Sequence, residues 1–102
     1  MDTPAKLILW WDVLPNRESE FFEFNQREFL PTVRKLGIEP AEAWYTAYGN
    51  CPQFQVAAIC PSLERMQVAL ASPAWQDLEE KLLDYVENLS SKVVVARAGF
   101  QF

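Results

Sequence analysis

The stretch from Trp44 to Leu78 constrains the fold most, because it predicts two strands joined by a tight connection and followed by two helices. Residues 42–48 and 53–60 are rich in the aromatic and β-branched side chains that favour strands. Between them, Gly49-Asn50-Cys51-Pro52 is typical of a hairpin connection. The sequence therefore predicts an antiparallel strand pair in the middle of the chain.

Two serines predict where the following helices begin. Ser62 is placed to cap a short helix over residues 63–71, and Ser72-Pro73 offers a capping side chain followed by proline at the first helical position. The second helix carries one apolar stripe at helical spacing, which consists of Trp75, Leu78, Leu82, Val86 and Leu89. A last strand is expected over residues 92–100, KVVVARAGF.

The N-terminal part of the chain predicts one strand and one long helix. Residues 6–14, KLILWWDVL, form an apolar run that indicates a strand buried on both faces. Residues 17–36 predict a helix, which Asn16 can cap and Gly37 can end in a left-handed conformation. Pro31 lies inside this helix, so we expect a bend near Gln26–Leu30, or two helical pieces.

The predicted elements follow the order βαββαβ, with the second helical part divided in two. This order predicts an α+β domain over residues 1–102, in which helices cover one face of a four-stranded antiparallel sheet. That is the ferredoxin-like arrangement.

The predicted sheet has apolar side chains on both faces, although the helices can cover only one. In the first strand Leu7, Leu9, Trp11 and Val13 point one way, while Ile8 and Trp10 point the other way with Lys6 and Asp12. An apolar patch of this kind usually marks an interface. We therefore expect a twofold homodimer with the two sheets packed face to face.

Composition disfavours several classes of partner. The chain has 9 Lys+Arg and 14 Asp+Glu, and its net charge of -5 disfavours nucleic acid and anionic membranes. No segment approaches the ~20 apolar residues of a membrane span, and the opening residues lack a signal-peptide pattern. Cys51 and Cys60 fall at opposite ends of one predicted strand, too far apart for a disulfide. Reduced thiols favour a cytoplasmic protein.

Several short motifs resemble the NIPSNAP family, within the dimeric α/β-barrel superfamily. They are Trp44-x-Thr46-x-x-Gly49, Ser62-Leu63-x-Arg65, Ala71-Ser72-Pro73-x-Trp75, and Leu30-Pro31 followed by Gly37. The resemblance covers nearly the whole chain and implies the same fold and a homodimer. Enzymes and haem-binding members of the superfamily often use histidine, and this chain has none. We therefore expect no cofactor, no metal and no transferable catalytic residue.

Aromatic side chains are the first candidates for a ligand site. Trp10, Trp44, Tyr48, Trp75 and Tyr85 could line a hydrophobic pocket between helices and sheet. Filling the core is the commoner role of aromatic residues at regular spacing.

Three charged residues are further candidates. Asp12 and Arg97 lie in neighbouring predicted strands, where they could form a polar pocket for an anionic or carbonyl group, or a structural ion pair. Arg65 could clamp a ligand or contact a second subunit through its guanidinium fork, or pair with a glutamate on the helix surface.

Two functions from different classes follow. The first is a non-catalytic NIPSNAP-like homodimer that binds a small apolar ligand or a protein partner. The second is a cofactor-free monooxygenase or isomerase acting on an aromatic or polyketide-like substrate, with Asp12, Tyr45, Tyr48 or Arg97 transferring protons or stabilising charge. An open cavity that receives such side chains would favour the enzyme.

Overall fold

The computed structural model describes residues 3–46 and 53–95 of the chain. Its strands are β1 (Ala5–Val13), β2 (Glu39–Thr46), β3 (Gln53–Cys60) and β4 (Val86–Val95). Its helices are α1 (Glu18–Phe24), α2 (Leu30–Lys35), α3 (Leu63–Leu70) and α4 (Pro73–Leu82), and a π-helical segment (Asn25–Phe29) connects α1 to α2. Within these ranges, no helix is both long enough and apolar enough to cross a membrane.

The four strands form one antiparallel sheet in the order β2-β3-β1-β4. This order, with both helical parts packed on one face, confirms the predicted ferredoxin-like α+β fold. Strand β1 is central and alternates strictly between buried and half-buried residues. Its buried residues face the helices, so the face with Ile8 and Trp10 is the one that the helices leave uncovered.

An aromatic cluster fills the space between the helices and the sheet. The Trp11 ring is stacked on Phe54 at 5.3 Å and meets Phe21 and Phe29 edge-on at 5.8 and 5.7 Å. All four residues are at most 5% exposed. Aromatic pairs in these geometries add to the stability that apolar burial provides, so this cluster ties β1 and β3 to the first helical stretch.

A π-helical segment divides the first helix into two α-helical pieces in the turn before Pro31, as the sequence predicts. Proline has no N–H to donate to the preceding turn, and its ring crowds that turn. The chain widens instead, and the Leu30 N–H donates to the carbonyl of Asn25, five residues earlier. The helix therefore continues through Pro31, and its irregular turn lies at Asn25–Phe29.

The prediction for the end of α4 is wrong. The helix ends at Leu82, and Val86 and Leu89 lie in β4, which begins six residues before the predicted last strand. Asn88 has φ 56° in a bulge opposite Trp11, and this extra residue shifts the register of β4. Because of the bulge, Val86 and Leu89 in β4 have the spacing that they would have in one more turn of helix.

Three of the four predicted helix caps are confirmed. The Ser62 and Ser72 hydroxyls accept hydrogen bonds from the third residue after each, and Gly37 has φ 86° after α2. Asn16 does not cap α1; its φ is 66°, and Arg17 takes the cap position without a side-chain hydrogen bond.

Candidate functional site

The sheet face opposite the helices, called the open face below, carries two of the predicted aromatic site residues. Trp44, Gln55, Trp10 and Ser90 form one row across the four strands. Trp44 is 45% exposed and Trp10 is half-buried. Two strand spacings, about 9.5 Å, separate the two tryptophans. The structure thus places both on the open face, not in the predicted pocket between helices and sheet.

One of the two rows next to the tryptophans combines an apolar centre with charged ends, whereas the other has Gln53 and Asp12 at its centre. One row runs Glu42, Ala57, Ile8 and Lys92. Ala57 is 1% exposed although it lies outside the core cluster of the helix-covered face. This row of the open face therefore has an apolar middle, a carboxylate on edge strand β2 and an ammonium group on edge strand β4.

Asp12 also lies on the open face. Its Oδ2 accepts a hydrogen bond from Asn88 Nδ2 at 2.9 Å. Arg97, the partner predicted for it, lies outside the described residues. Asp12 is separated by the sheet from the helix-covered interior, so within the described part of the chain it supplies no acid or base to a pocket there.

A cleft opens on the helix-covered side of the sheet, beneath the edge strand. We call it the β2 cleft, and its volume is about 150 Å³. Its lining residues are Asn25, Leu30, Pro40, Ala41, Glu42, Ala43, Phe54 and Val56. An apolar cavity of this size holds a molecule as large as benzene.

Asn25 is the polar group that distinguishes the β2 cleft. The residue is 6% exposed, and its Oδ1 has no hydrogen-bond partner among the described residues. A buried acceptor without a donor costs about 1–3 kcal/mol of stability, and such groups in native proteins call for a specific explanation. A group that donates a hydrogen bond to this oxygen would remove that cost.

Two backbone irregularities meet at the β2 cleft. Asn25 is the first residue of the π-helical segment. On the opposite wall, the register of β2 shifts between Pro40 and Glu42, so that Ala41 is an extra residue in the strand. Both π-bulges and β-bulges are frequent at functional sites, where they redirect side chains.

The remaining candidates are dispersed. Trp75 is 6% exposed and lies 6.3 Å from the Phe29 ring, so it fills the core. Tyr85 is held between Phe24, stacked at 5.1 Å, and the guanidinium of Arg17, 5.0 Å from its ring. Tyr48 lies outside the described residues.

Arg65 lies in the first turn of α3, where its backbone N–H donates to the Ser62 hydroxyl at 3.2 Å. Its side chain lines a groove between α3 and the end of α2, apart from both the open face and the β2 cleft.

Metal-binding and thiol chemistry have little support in residues 3–46 and 53–95. These ranges contain no group of three or more Cys, Asp or Glu placed to hold a metal ion. Cys60 is a free thiol, 1% exposed in the core, and its burial limits its reactivity.

The sequence prediction missed Asn25. Asparagine in the middle of a predicted helix carries no recognisable chemistry, and its burial depends on the direction that the helix takes after the bend. The one available signal was Pro31, because a proline-induced bend turns side chains of the preceding turns away from regular helical positions.

Comparison with known proteins supports the fold. No protein-family model and no curated protein matches the chain in sequence. Among solved structures, an uncharacterised NIPSNAP-like domain protein from Burkholderia xenovorans aligns with a TM-score of 0.67 at 21% identity, covering 99% of this chain and 91% of its own. A NIPSNAP domain protein from the same organism gives a TM-score of 0.69 at 16% identity, with coverages of 96% and 99%.

The same fold also occurs in an enzyme. SnoaB from Streptomyces nogalater, a cofactor-independent oxygenase, aligns with a TM-score of 0.66 at 14% identity, covering 92% of this chain and 93% of SnoaB. Identities this low establish architecture and leave the reaction open. The chain thus has the ferredoxin-like α+β fold of the NIPSNAP proteins, as its sequence motifs indicate.

Proposed function

We propose that the protein is a cytosolic homodimer that binds a small apolar molecule in the β2 cleft. The ligand carries one hydroxyl or N–H group, which donates to Asn25 Oδ1. The observation that carries the proposal is this oxygen, buried and unpartnered within the described residues, in a cleft whose other walls include Leu30, Phe54 and Val56. An apolar site with one placed polar group is the usual design of a small-molecule site.

Binding without catalysis fits the groups around the cleft. Among the described residues that line it, Glu42 alone is ionisable, and Glu42 lies at an exposed position of the edge strand in a row of the open face. General acid–base catalysis requires a positioned group of suitable pKa within hydrogen-bond reach of the substrate. The predicted acid, Asp12, is bonded to Asn88 on the other face of the sheet.

The open face supports the homodimer. Strands β2 and β4 form opposite edges, and Glu42 and Lys92 end the same row. A twofold axis parallel to the strands would set Glu42 of each copy against Lys92 of the other and would stack the two apolar centres. The face is thereby complementary to itself, as a twofold interface requires.

The assembly is tested by the molar mass from light scattering at micromolar concentration. The wild type is expected at twice the chain mass of 11.8 kDa. Trp10→Glu places a charge in the centre of the open face and is expected to give monomers. The matched control is Val68→Glu, at a side chain 69% exposed on α3, and it should remain dimeric. A monomeric wild type, or dissociation by both variants, would exclude this interface.

Ligand binding is tested by titrating phenol and benzene against the wild type and Asn25→Leu. Phenol offers the donor that Asn25 lacks, so the wild type should prefer phenol, and the variant should lose this preference. Equal affinities for the two probes, or an unchanged preference in Asn25→Leu, would contradict the proposal.

The similarity to SnoaB favours a second candidate, a cofactor-free oxygenase or isomerase that acts on an aromatic substrate. In this alternative, the β2 cleft would orient the substrate, and Tyr45, which pairs with Phe54 in the sheet and is stacked on Phe22 at 5.1 Å, would be the phenol group to test. Oxygen uptake with 1-naphthol that disappears in Tyr45→Phe would favour the enzyme. Binding without uptake would favour the first proposal.

A further inference from the structure

A second ligand site is indicated by the groove between the end of α2 and the outer face of α3, called the α3 groove here. Its volume is about 730 Å³, within the range of roughly 300–1,000 Å³ that small-molecule pockets occupy. The residues that matter are Lys35, Leu36, Glu64, Arg65, Val68 and Ala69. None of them lines the β2 cleft, so this site is independent of the function proposed above.

Arg65 differs from the other described arginines in lacking a carboxylate partner. Arg17, Arg27 and Arg34 contact glutamates at 3.3, 3.0 and 3.6 Å. No Asp or Glu of residues 3–46 and 53–95 lies within 4 Å of the Arg65 guanidinium, although Glu64 is its neighbour in sequence. In a chain with a net charge of -5, this guanidinium is therefore available for an anion.

Apolar surface lies beside this charge. Val68 is 69% exposed, the largest exposed fraction among the large hydrophobic side chains of the described chain. Val68 and Arg65 are three residues apart on α3, so they project from the same side of the helix. Leu36 and Ala69 extend the apolar lining, and together these residues form a surface for a short hydrocarbon.

The charge balance of the groove selects the ligand class. Lys35 and Arg65 contribute two positive charges and Glu64 one negative charge, which leaves one excess positive charge. A monoanion matches this balance, whereas a dianionic phosphate would also face the Glu64 carboxylate. A carboxylate suits the guanidinium, since the two groups form paired parallel hydrogen bonds.

We propose that the α3 groove binds an aliphatic carboxylate, with its head group on Arg65 and Lys35 and its chain along Leu36, Val68 and Ala69. Binding then requires both parts of the ligand. The carboxylate alone would meet two solvated cations, and the hydrocarbon alone would leave the guanidinium without a partner.

The experiment is a calorimetric titration with octanoate, using butyrate, 1-octanol and inorganic phosphate as comparison probes. Saturable binding of octanoate is expected, with much weaker binding of the other three. Arg65→Gln should weaken octanoate binding about tenfold, because a charge-assisted pair is lost. Arg27→Gln, at an exposed arginine outside the groove, is the matched control and should bind octanoate like the wild type.

Val68→Asp tests the apolar part separately and should also weaken octanoate binding. Circular dichroism should show that all three variants remain folded, since each replaced side chain is exposed. The proposal would be overturned if octanoate did not bind, or if Arg65→Gln and Arg27→Gln lost the same octanoate affinity. Phosphate binding at least as tight as octanoate binding would also overturn it. Failure here leaves the phenol titration of the β2 cleft unaffected, because the two sites share no residue.

Discussion

Replacing Asn25 with leucine is expected to stabilise the protein while it removes the preference for phenol over benzene. The carboxamide oxygen is buried without a partner in the described structure, at a cost of about 1–3 kcal/mol. Leucine removes this penalty and has the higher helix propensity. The β2 cleft leaves about 150 Å³ next to the side chain, so the larger residue has room. We expect the free energy of unfolding to rise by about 1–3 kcal/mol.

The assay is urea unfolding followed by circular dichroism, at one fixed protomer concentration because dimer formation would shift the transition. In a thermal scan, 1 kcal/mol corresponds to about 4–8 °C for a domain of roughly this size. Asn88→Leu is the contrasting control. Its amide donates to Asp12 and its φ is 56°, so this variant should lose stability.

A loss of 1 kcal/mol or more in Asn25→Leu would refute the reasoning. It would mean that the Asn25 side chain makes hydrogen bonds on which the fold depends, and that its burial has a structural cause. A gain in stability together with the loss of phenol preference would show the exchange of stability for function that is common at binding sites.

Three other perturbations test parts of the fold. Gly37→Ala should lower the free energy of unfolding by about 1 kcal/mol, because the φ of 86° at this position is unfavourable for a residue with a Cβ, even though that Cβ would meet no atom within 4 Å. An unchanged midpoint of urea unfolding would contradict this prediction. Ser72→Ala should cost about 1 kcal/mol through loss of the α4 cap, and an equally stable variant would show that the cap is dispensable. The hydrogen bond to Glu28 raises the pKa of Lys81 above its ordinary 10.5. The contribution of charged Lys81 to the free energy of unfolding is therefore complete below about pH 10 and is lost as the pH rises through the pKa that Lys81 has in the folded protein. Lys81→Met should abolish this loss of stability at alkaline pH, and a variant whose stability depends on pH as in the wild type would contradict the prediction.

Much of the fold was predictable because local signals and the global arrangement agree. The apolar run of β1 and the serine caps each specify a local structure, and one α+β topology satisfies them; the predicted connection at residues 49–52 lies outside the described residues. The prediction failed at the end of α4, where a bulge gives the apolar residues of a strand the spacing of a helix. Val86 and Leu89 extend the stripe of α4 in the sequence, yet a bulge at Asn88 places them in β4.

The candidate site was harder to predict because its residues have ordinary local roles. Trp10 and Trp44 were recognised as unusual, but the side of the sheet on which they lie decides whether they meet a ligand or a second chain. Asn25 became a candidate only once its burial and its missing partner were visible. Such a group is defined by its surroundings, which no local pattern encodes.

The most direct test of the central claim is a crystal structure of the protein soaked with phenol. We expect a phenol ring in the β2 cleft against Phe54 and Val56, with its oxygen about 2.7–3.2 Å from Asn25 Oδ1. An empty cleft, or phenol bound only between Trp10 and Trp44 on the open face, would contradict it.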